Sequence, residues 1–204
     1  MASRPPEAEP ASLPRHASLI RRLNRLRLLR KLPRRSVGAE IGVWRGDFSA
    51  EILREVRPAK LFLVDPWRIG TDAEYAGALW GAVRSDQELL DAMYLDVQTR
   101  FRAETATGQV EFVRDRSLDA AERFPTAFFD WVYVDGDHLY EQVSRDLEVY
   151  AARLKVPGVL AGDDYGVAGF WGDGVRRAVD DFAAKTGWEL QLLGRSQFLL
   201  RRSK

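Results

Sequence analysis

From Val37 onward, short apolar segments that end in glycine or aspartate alternate with longer segments of helical period. This alternation indicates repeated βα units and a largely parallel sheet. We predict strands over residues 37–42, 59–64, 109–113, 129–134 and 156–162, and helices over residues 47–57, 86–103, 118–123, 139–153 and 173–186. Two last apolar segments, 188–193 and 196–201, meet at Gly194-Arg195 and predict an antiparallel hairpin.

The residues before this pattern differ in composition. Residues 1–16 contain four prolines and few apolar side chains, which predicts a flexible tail. Residues 17–35 place leucine and isoleucine at helical spacing among arginines, and this predicts a basic amphipathic helix. The globular domain then covers residues 36–204. Within it, the aromatic-rich segment from Pro66 to Asp86 has the length of a lid over a binding site.

Charge divides the chain at the same place. Nine basic residues lie between Arg15 and Arg35, a stretch without acids, whereas the rest of the chain has 22 basic against 30 acidic residues. The negative domain would repel phosphates, so nucleic acid is not a favoured partner. Three roles stay open for the basic helix: packing of its leucine face on the sheet or on a second copy in a homodimer, contact with a membrane surface, and binding of another acidic partner.

Composition restricts the location and the metal chemistry. The chain has no cysteine and two histidines, so a metal site would need carboxylates or the imidazoles of His16 and His138. There is no run of about 18 apolar residues that could span a membrane, and no apolar signal stretch. We therefore expect a cytoplasmic protein, which the basic helix could bring to the periphery of a membrane.

The first predicted strand runs into a loop with two glycines. In open α/β sheets, ligands bind at the carboxyl ends of the strands. Here Glu40 is followed by Gly42 and Gly46, which let the backbone approach a ligand ahead of a helix N-terminus. The spacing E-x-G-x-x-x-G lacks the third glycine of the dinucleotide fingerprint, which disfavours an NAD-dependent oxidoreductase. The alternative is that the glycines form a tight turn and nothing more.

An acid ends the second predicted strand. Asp65 follows the apolar run 61–64 and lies 19 residues beyond Gly46. At this place a carboxylate accepts hydrogen bonds from the vicinal hydroxyls of a ribose. The alternative is a turn-forming aspartate before Pro66. Together, the glycine loop and Asp65 predict a nucleoside-containing ligand.

Carboxylates also end the fourth and fifth predicted strands. Asp135 and His138 lie just after the fourth strand, and Asp163 and Asp164 follow the fifth. Adjacent parallel strands are about 4.8 Å apart, so these acids can converge at one sheet edge, where Mg²⁺ or a similar hard ion would relieve their repulsion. The alternative is that they are helix caps and solvated acids. His138 could be a general base or a hydrogen-bond anchor.

Four separated segments resemble the class I S-adenosylmethionine-dependent methyltransferases, and above all the small-domain subgroup related to macrocin O-methyltransferase and cephalosporin hydroxylase-type proteins. They are AEIGVWRGDFSAEILREVRPAKLFLVDPW, FDWVYVDGDHLYEQVSRDL, PGVLAGDDY and GVRRAVDDF. The resemblance covers about residues 36 to 200. It implies a Rossmann-like, seven-stranded, mostly parallel sheet with a C-terminal antiparallel hairpin and helices on both faces, and it makes 36–204 a methyltransferase domain.

The resemblance also implies roles for single residues. The positions that match cofactor-binding motifs are Glu40, Gly42, Gly46, Asp65, Asp115, Ser117 and Asp135. The first three would surround the methionine part of S-adenosylmethionine, Asp65 would contact the ribose, and the two residues after the third strand would lie near the adenine. Asp135, Asp163 and Asp164 match the residues that hold a divalent cation in metal-dependent relatives, including catechol O-methyltransferase-like enzymes.

We therefore predict an S-adenosylmethionine-dependent methyltransferase that acts on a hydroxyl of a sugar or another small polyhydroxylated metabolite. Methyl transfer from a sulfonium is an in-line displacement, which needs an aligned and deprotonated oxygen. A Mg²⁺ on the carboxylates would lower the pKa of that hydroxyl, and His138, with Asp135 beside it, would take the proton. The alternative is a non-catalytic, cofactor-binding member of the fold that serves as a binding or assembly module.

Overall fold

A computed structural model describes residues 15–69, 86–167 and 172–203 of the chain. The helices are α1 (Arg15–Leu29), α2 (Asp47–Glu55), α3 (Gln87–Arg100), α4 (Arg102–Ala106), α5 (Ser117–Ala121), α6 (Tyr140–Arg153) and α7 (Gly174–Thr186). The strands are β1 (Val37–Ile41), β2 (Lys60–Val64), β3 (Val110–Val113), β4 (Phe129–Val134), β5 (Leu154–Gly162), β6 (Glu189–Leu193) and β7 (Gln197–Arg201). The predicted tail, apart from its last two residues, and most of the predicted lid lie outside the described residues.

The seven strands form one sheet in the order β3-β2-β1-β4-β5-β7-β6. The strands from β3 to β5 pair in parallel, and β7 and β6 add an antiparallel hairpin at the β5 edge. The predicted seven-stranded, Rossmann-like α/β fold with its terminal hairpin is thereby confirmed. The strand order reverses between β1 and β4, so a crevice opens at the carboxyl ends of these two strands, where such sheets bind ligands.

Apolar side chains alternate along the strands and face two separate cores. On β4, Val132 and Val134 belong to a core with α5, α6 and α7, which we call the α6 core. Trp131 and Tyr133 belong to a core with α1, α2 and α3, which we call the α1 core. Because successive side chains of a strand point to opposite faces, the two cores place helices on both faces of the sheet.

The segment predicted as one helix over 86–103 is in fact two helices. α3 ends at Arg100, and Phe101 leaves helical geometry, at φ −106° and ψ 23°, before α4 begins. The Phe101 ring is buried beside Gly46, where a Cβ would come within 2.8 Å of it. The break thus lets an aromatic ring fill the space next to the glycine loop, a tertiary contact that helical periodicity does not indicate.

α1 packs on the domain through its C-terminal half. Leu28, Leu29 and, just after the helix, Leu32 are buried in the α1 core. In the N-terminal half, Leu19 and Ile20 are 58% and 56% exposed. The leucine-rich face of α1 is therefore exposed near the start of the helix and buried near its end. No helix in the described part of the chain has the length and hydropathy needed to cross a bilayer.

We predict that Gly38→Ala destabilises the protein by about 3 kcal/mol, at the upper end of the usual range for overpacking. A Cβ at Gly38 would lie 2.1 Å from two ring atoms of Trp131. The indole has little room to move, because it is fully buried and donates from Nε1 to Ser36 Oγ at 2.8 Å. Urea unfolding measures the loss. Gly136→Ala is the matched control, since its Cβ would meet no atom closer than 3.7 Å, and equal losses in both variants would contradict the prediction.

Candidate active site

Gly42 marks a close approach between the ends of β1 and β4. Its φ is +90°, and a Cβ there would lie 2.3 Å from the carbonyl oxygen of Asp135. Only glycine combines this conformation with such close backbone contact. Gly46, at φ +71°, then caps the N-terminus of α2. We call the loop of residues 42–46 the cradle. At Gly42 it presents backbone rather than a side chain, as a ligand-binding loop requires.

Glu40 lies at the end of β1, just before this cradle, and is buried. Ser49 Oγ of α2 donates a hydrogen bond to its Oε2 at 2.5 Å. Burial, helped by the nearby carboxylates of Asp135 and Asp65, raises the pKa of Glu40 to about 8. At neutral pH this carboxyl is therefore mainly protonated, and it can donate a hydrogen bond as well as accept one.

Asp65, at the end of β2, shapes the same loop. Its Oδ2 accepts hydrogen bonds from the backbone N–H groups of Val43 and Trp44, both at 2.9 Å, and its Oδ1 accepts from Trp67 N at 2.8 Å. Burial raises its pKa, although these donors favour the charged form. Trp44 has a φ of +50°, in the left-handed region, and its bond to Asp65 helps to hold that conformation. The contact of Asp65 with a ribose stays a prediction.

Asp115 and Ser117, predicted to lie near the adenine, are both bonded to protein partners. Asp115 Oδ2 accepts from Arg123 at 2.5 Å. Ser117 Oγ donates at 2.6 Å to Oδ1 of Asp146, a buried acid on α6. Burial raises the pKa of Asp146 to about 7. Sequence reasoning missed Asp146, although its place on the face of α6 that carries the buried Val143 is a signal that could have found it.

The carboxylates that end β4 and β5 meet in one group, the carboxylate cluster of Asp135, Asp163 and Asp164. His138 joins it, because its Nε2 lies 2.7 Å from Asp164 Oδ2. Asp135, His138 and Asp164 each offer one ligand atom, and these atoms lie within 4.8 Å of one another. The side chain of Asp163 is fully buried. The structure thus brings together all four residues that the strand ends singled out.

The basic helix α1 supplies two arginines to the carboxylate cluster. Arg25 contacts Asp163 Oδ2 through Nη2 at 2.5 Å and Nε at 2.8 Å, and it contacts Asp135 Oδ2 through Nη2 at 3.0 Å. Arg21 Nη2 contacts Asp164 Oδ1 at 2.6 Å and Asp163 Oδ2 at 3.0 Å. The sequence analysis did not connect these arginines with the carboxylates at the strand ends. Their i, i+4 spacing, which places both on one helix face, is the signal that could have linked them to a common partner.

The acids of the carboxylate cluster have different pKa values, depending on whether burial or the nearby arginines have the larger effect. Burial raises the pKa of Asp163, but Arg25 and Arg21 outweigh it, and the pKa is lowered. Burial and repulsion from Asp163 prevail over Arg25 at Asp135, whose pKa rises to about 7. Burial lowers the pKa of His138, but its bond to a carboxylate reverses the direction. Near neutral pH an ionised Asp163 therefore lies beside Asp135 and His138, two groups that can take up or release a proton.

Asp135 joins the two parts of the site. Its backbone carbonyl abuts the cradle at Gly42, and its side chain belongs to the carboxylate cluster. A ligand in the cradle would thus lie next to groups that can accept protons and that offer ligand atoms to a cation. The arrangement can combine a bound cofactor with proton transfer from an adjacent acceptor.

A family model described as a methyltransferase domain matches residues 39–165. This range includes the cradle, Asp65, His138 and the whole carboxylate cluster. No curated protein sequence matches the chain significantly.

Solved structures share the fold at low sequence identity. The O-methyltransferase NovP superposes with a TM-score of 0.64 at 24% identity, over 89% of this chain and 81% of that one. A protein described as a caffeoyl-CoA O-methyltransferase from Staphylococcus aureus has a TM-score of 0.61 at 12% identity, with coverages of 91% and 83%. A spermidine synthase from Thermotoga maritima reaches 0.52 at 15% identity, with coverages of 86% and 56%. Proteins that are named for different reactions therefore share this fold.

We predict that Asp146→Asn makes stability less sensitive to pH. The pKa of Asp146 rises from 3.8 to about 7 on folding, so the folded state holds the proton more tightly and stability falls as pH rises through this range. Asparagine keeps an acceptor for Ser117 and cannot ionise. Relative to the wild type, the variant should gain up to about 1.4 kcal/mol per pH unit across the range.

Urea unfolding at about pH 5 and about pH 7.5 measures this gain. Glu148→Gln, at an exposed position of the same helix, is the matched control. A difference between wild type and Asp146→Asn that stays constant with pH would contradict the prediction.

Proposed function

This chain belongs to the methyltransferase domain family and is a class I S-adenosylmethionine-dependent methyltransferase, and on that premise we propose that it methylates a hydroxyl of a sugar or another small polyhydroxylated metabolite. The observation that carries the proposal is the position of Asp135, whose backbone abuts the cradle while its carboxylate lies in the cluster with His138. An O-methyltransferase needs this adjacency, because the methyl donor and the group that takes the hydroxyl proton must reach the same oxygen.

The residues at the cradle fit S-adenosylmethionine. Gly42 keeps the backbone open to a ligand, and the carboxyl groups of Glu40 and Asp65 offer partners for an amino group and for ribose hydroxyls. When bound, the cofactor supplies an electrophilic methyl group on a positively charged sulfonium.

His138 is the residue that we assign to proton transfer. Asp164 lies 2.7 Å from its Nε2, and this carboxylate stabilises the imidazolium that forms when His138 takes the proton of the acceptor hydroxyl. The raised pKa of His138 makes it a stronger base than a free imidazole. Asp135, on the cofactor side of the cluster, can accept a hydrogen bond from the hydroxyl and so orient it.

A divalent cation fits the same side chains. Asp135 and Asp164 offer oxygen ligands, with Asp163 next to them, and His138 lies beside Asp164 as the proton acceptor. Hard ions such as Mg²⁺ prefer oxygen donors. A Mg²⁺ held there would lower the pKa of the acceptor hydroxyl. A diol would give such an ion two oxygens, which supports a polyhydroxylated acceptor.

Methyl transfer from radiolabelled S-adenosylmethionine to a panel of acceptors tests the proposal. We expect transfer to sugars or other polyhydroxylated metabolites, and faster transfer with Mg²⁺ than with EDTA. Transfer to nucleic acid or protein alone would overturn the acceptor class. Cofactor binding without transfer to any acceptor would favour the alternative, a non-catalytic binding module.

We predict that Asp65→Ala weakens cofactor binding by about tenfold or more, because the change removes a charged acceptor and the partner of three loop N–H groups. Calorimetric titration with S-adenosylhomocysteine measures the affinity. Glu148→Gln, which lies on α6 away from the cradle, should bind as the wild type does. An unchanged affinity in the Asp65 variant would show that the loop and the ribose do not depend on this carboxylate.

We predict that Asp164→Asn leaves cofactor affinity unchanged and lowers kcat by about a hundredfold, because His138 loses the carboxylate that stabilises its protonated form. Steady-state kinetics with the best acceptor of the panel, together with the same calorimetric titration, separates the two effects. A parallel loss of cofactor affinity would indicate a disturbed cradle and would contradict the assignment.

A further inference from the structure

Residues 19–25 of α1 cover the carboxylate cluster and supply positive charge to it through Arg21 and Arg25. Arg21 and Arg25 together donate six hydrogen bonds to the three carboxylates, at distances between 2.5 and 3.3 Å. The Arg25 guanidinium also lies over the ring of Phe48, 4.8 Å from its centroid. The proposed methyl transfer uses the carboxylates but gives no role to the arginines.

Charge in this arrangement is close to balanced. Three carboxylates face two guanidinium groups, and His138 adds a third positive charge when it is protonated. Asp163 lies at the centre, and its Oδ2 accepts hydrogen bonds from both arginines. With α1 in place, a divalent cation would meet two guanidinium groups that already occupy the oxygens it needs, and like charges at such distances repel.

Two segments of α1 are held by different forces. In residues 19–25, which we call the latch segment, Leu19, Ile20 and Leu23 are 58%, 56% and 45% exposed, whereas Leu28 and Leu29 further along the helix are fully buried. The buried leucines hold the end of the helix through the hydrophobic effect. In the latch segment Asn24 is buried, and the arginines hold their places through ion pairs, which lose their effect once another cation takes the carboxylates. The latch segment can therefore loosen while the end of the helix stays anchored.

We propose that Arg21 and Arg25 compete with a divalent cation for the carboxylate cluster, so that residues 19–25 of α1 form a latch that cation binding opens. The proposal rests on the cation-assisted part of the proposed function. A cleft of about 220 Å³ lies beside the latch, between α1 and α2, and is lined by Arg21, Arg22, Arg25, Asp47, Phe48 and Glu51. Opening the latch frees the carboxylates and widens this cleft for an acceptor.

Binding of Mn²⁺ to the full chain, followed by the electron paramagnetic resonance signal of the free ion, tests the competition. The proteins are the wild type, R21Q/R25Q and R22Q. Arg22 is the matched control, because it lies on the same helix but pairs with Glu51 instead of the cluster. We expect R21Q/R25Q to bind Mn²⁺ about tenfold or more tightly than the wild type, from the loss of two positive charges close to the ion. R22Q should bind as the wild type does.

Hydrogen exchange of the wild-type protein provides a second measurement that does not depend on the folding of a variant. Saturating Mn²⁺ should speed amide exchange in residues 19–25 and leave residues 143–151 of α6 unchanged. Mn²⁺ that binds while exchange in α1 stays the same or slows would overturn the latch. Equal Mn²⁺ affinity in the wild type and R21Q/R25Q would overturn it as well.

The outcomes separate this proposal from the function on which it rests. If Mn²⁺ binds to every protein with equal affinity and stimulates methyl transfer, the latch is wrong and the cation-assisted function stands. If no variant binds Mn²⁺ but methyl transfer proceeds, the cation has no role, and the latch fails with it. If D164N in the R21Q/R25Q background abolishes the tight Mn²⁺ binding, the ion occupies the carboxylate cluster, as both proposals require.

Discussion

Negative charge at the carboxyl ends of β4 and β5 is the constraint on which the rest of the site depends. A buried carboxylate such as Asp163 is tolerated in its ionised form only with positive charge and hydrogen bonds beside it. α1 supplies both through Arg25 and Arg21. The placement of residues 19–25 of α1 and the lowered pKa of Asp163 follow from these contacts, whereas burial and repulsion from Asp163 raise the pKa of Asp135 against the effect of Arg25. An isolated sheet edge with these acids would have to bind protons or a metal ion instead.

The cradle is built on a different principle. There Gly42 lets two strand ends approach, and Asp65 fixes the loop by accepting three backbone N–H groups. These contacts involve backbone atoms, and no side chain of α1 takes part in them. The cradle is therefore fixed by backbone contacts, whereas the carboxylate cluster is held by ion pairs between longer side chains. Because Asp135 belongs to both, a change in the charge of the cluster acts directly next to the cradle.

The central strands could be predicted because burial on both faces gives them continuous apolar runs that turn residues end. The terminal hairpin could be predicted from two apolar segments joined at Gly194-Arg195, although β6 is not buried. The convergence of Asp135 with Asp164 followed from topology alone, since parallel strands end at the same edge. Three features could not be predicted in this way. The helix break at Phe101 depends on packing between elements, and the helical period of α6 indicates that Asp146 is buried but not that Ser117 is its partner. The pairing of Arg25 with Asp163 joins positions 138 residues apart, and local periodicity carries no information about which acid a surface arginine will meet.

The basic helix and the acidic domain are therefore not electrostatically independent, because ion pairs join them at the carboxylate cluster. The connection from Leu29 to Val37 is short, so α1 presents its arginines to the cluster at an effective concentration of about millimolar or more. A divalent cation from solution has to compete with that intramolecular partner. In our proposal, the concentration at which the site would take up a cation is thus set by the ion pairs of Arg21 and Arg25 as well as by the carboxylates. Solved relatives with at most 24% identity share the sheet, but sharing the sheet does not require them to share this threshold.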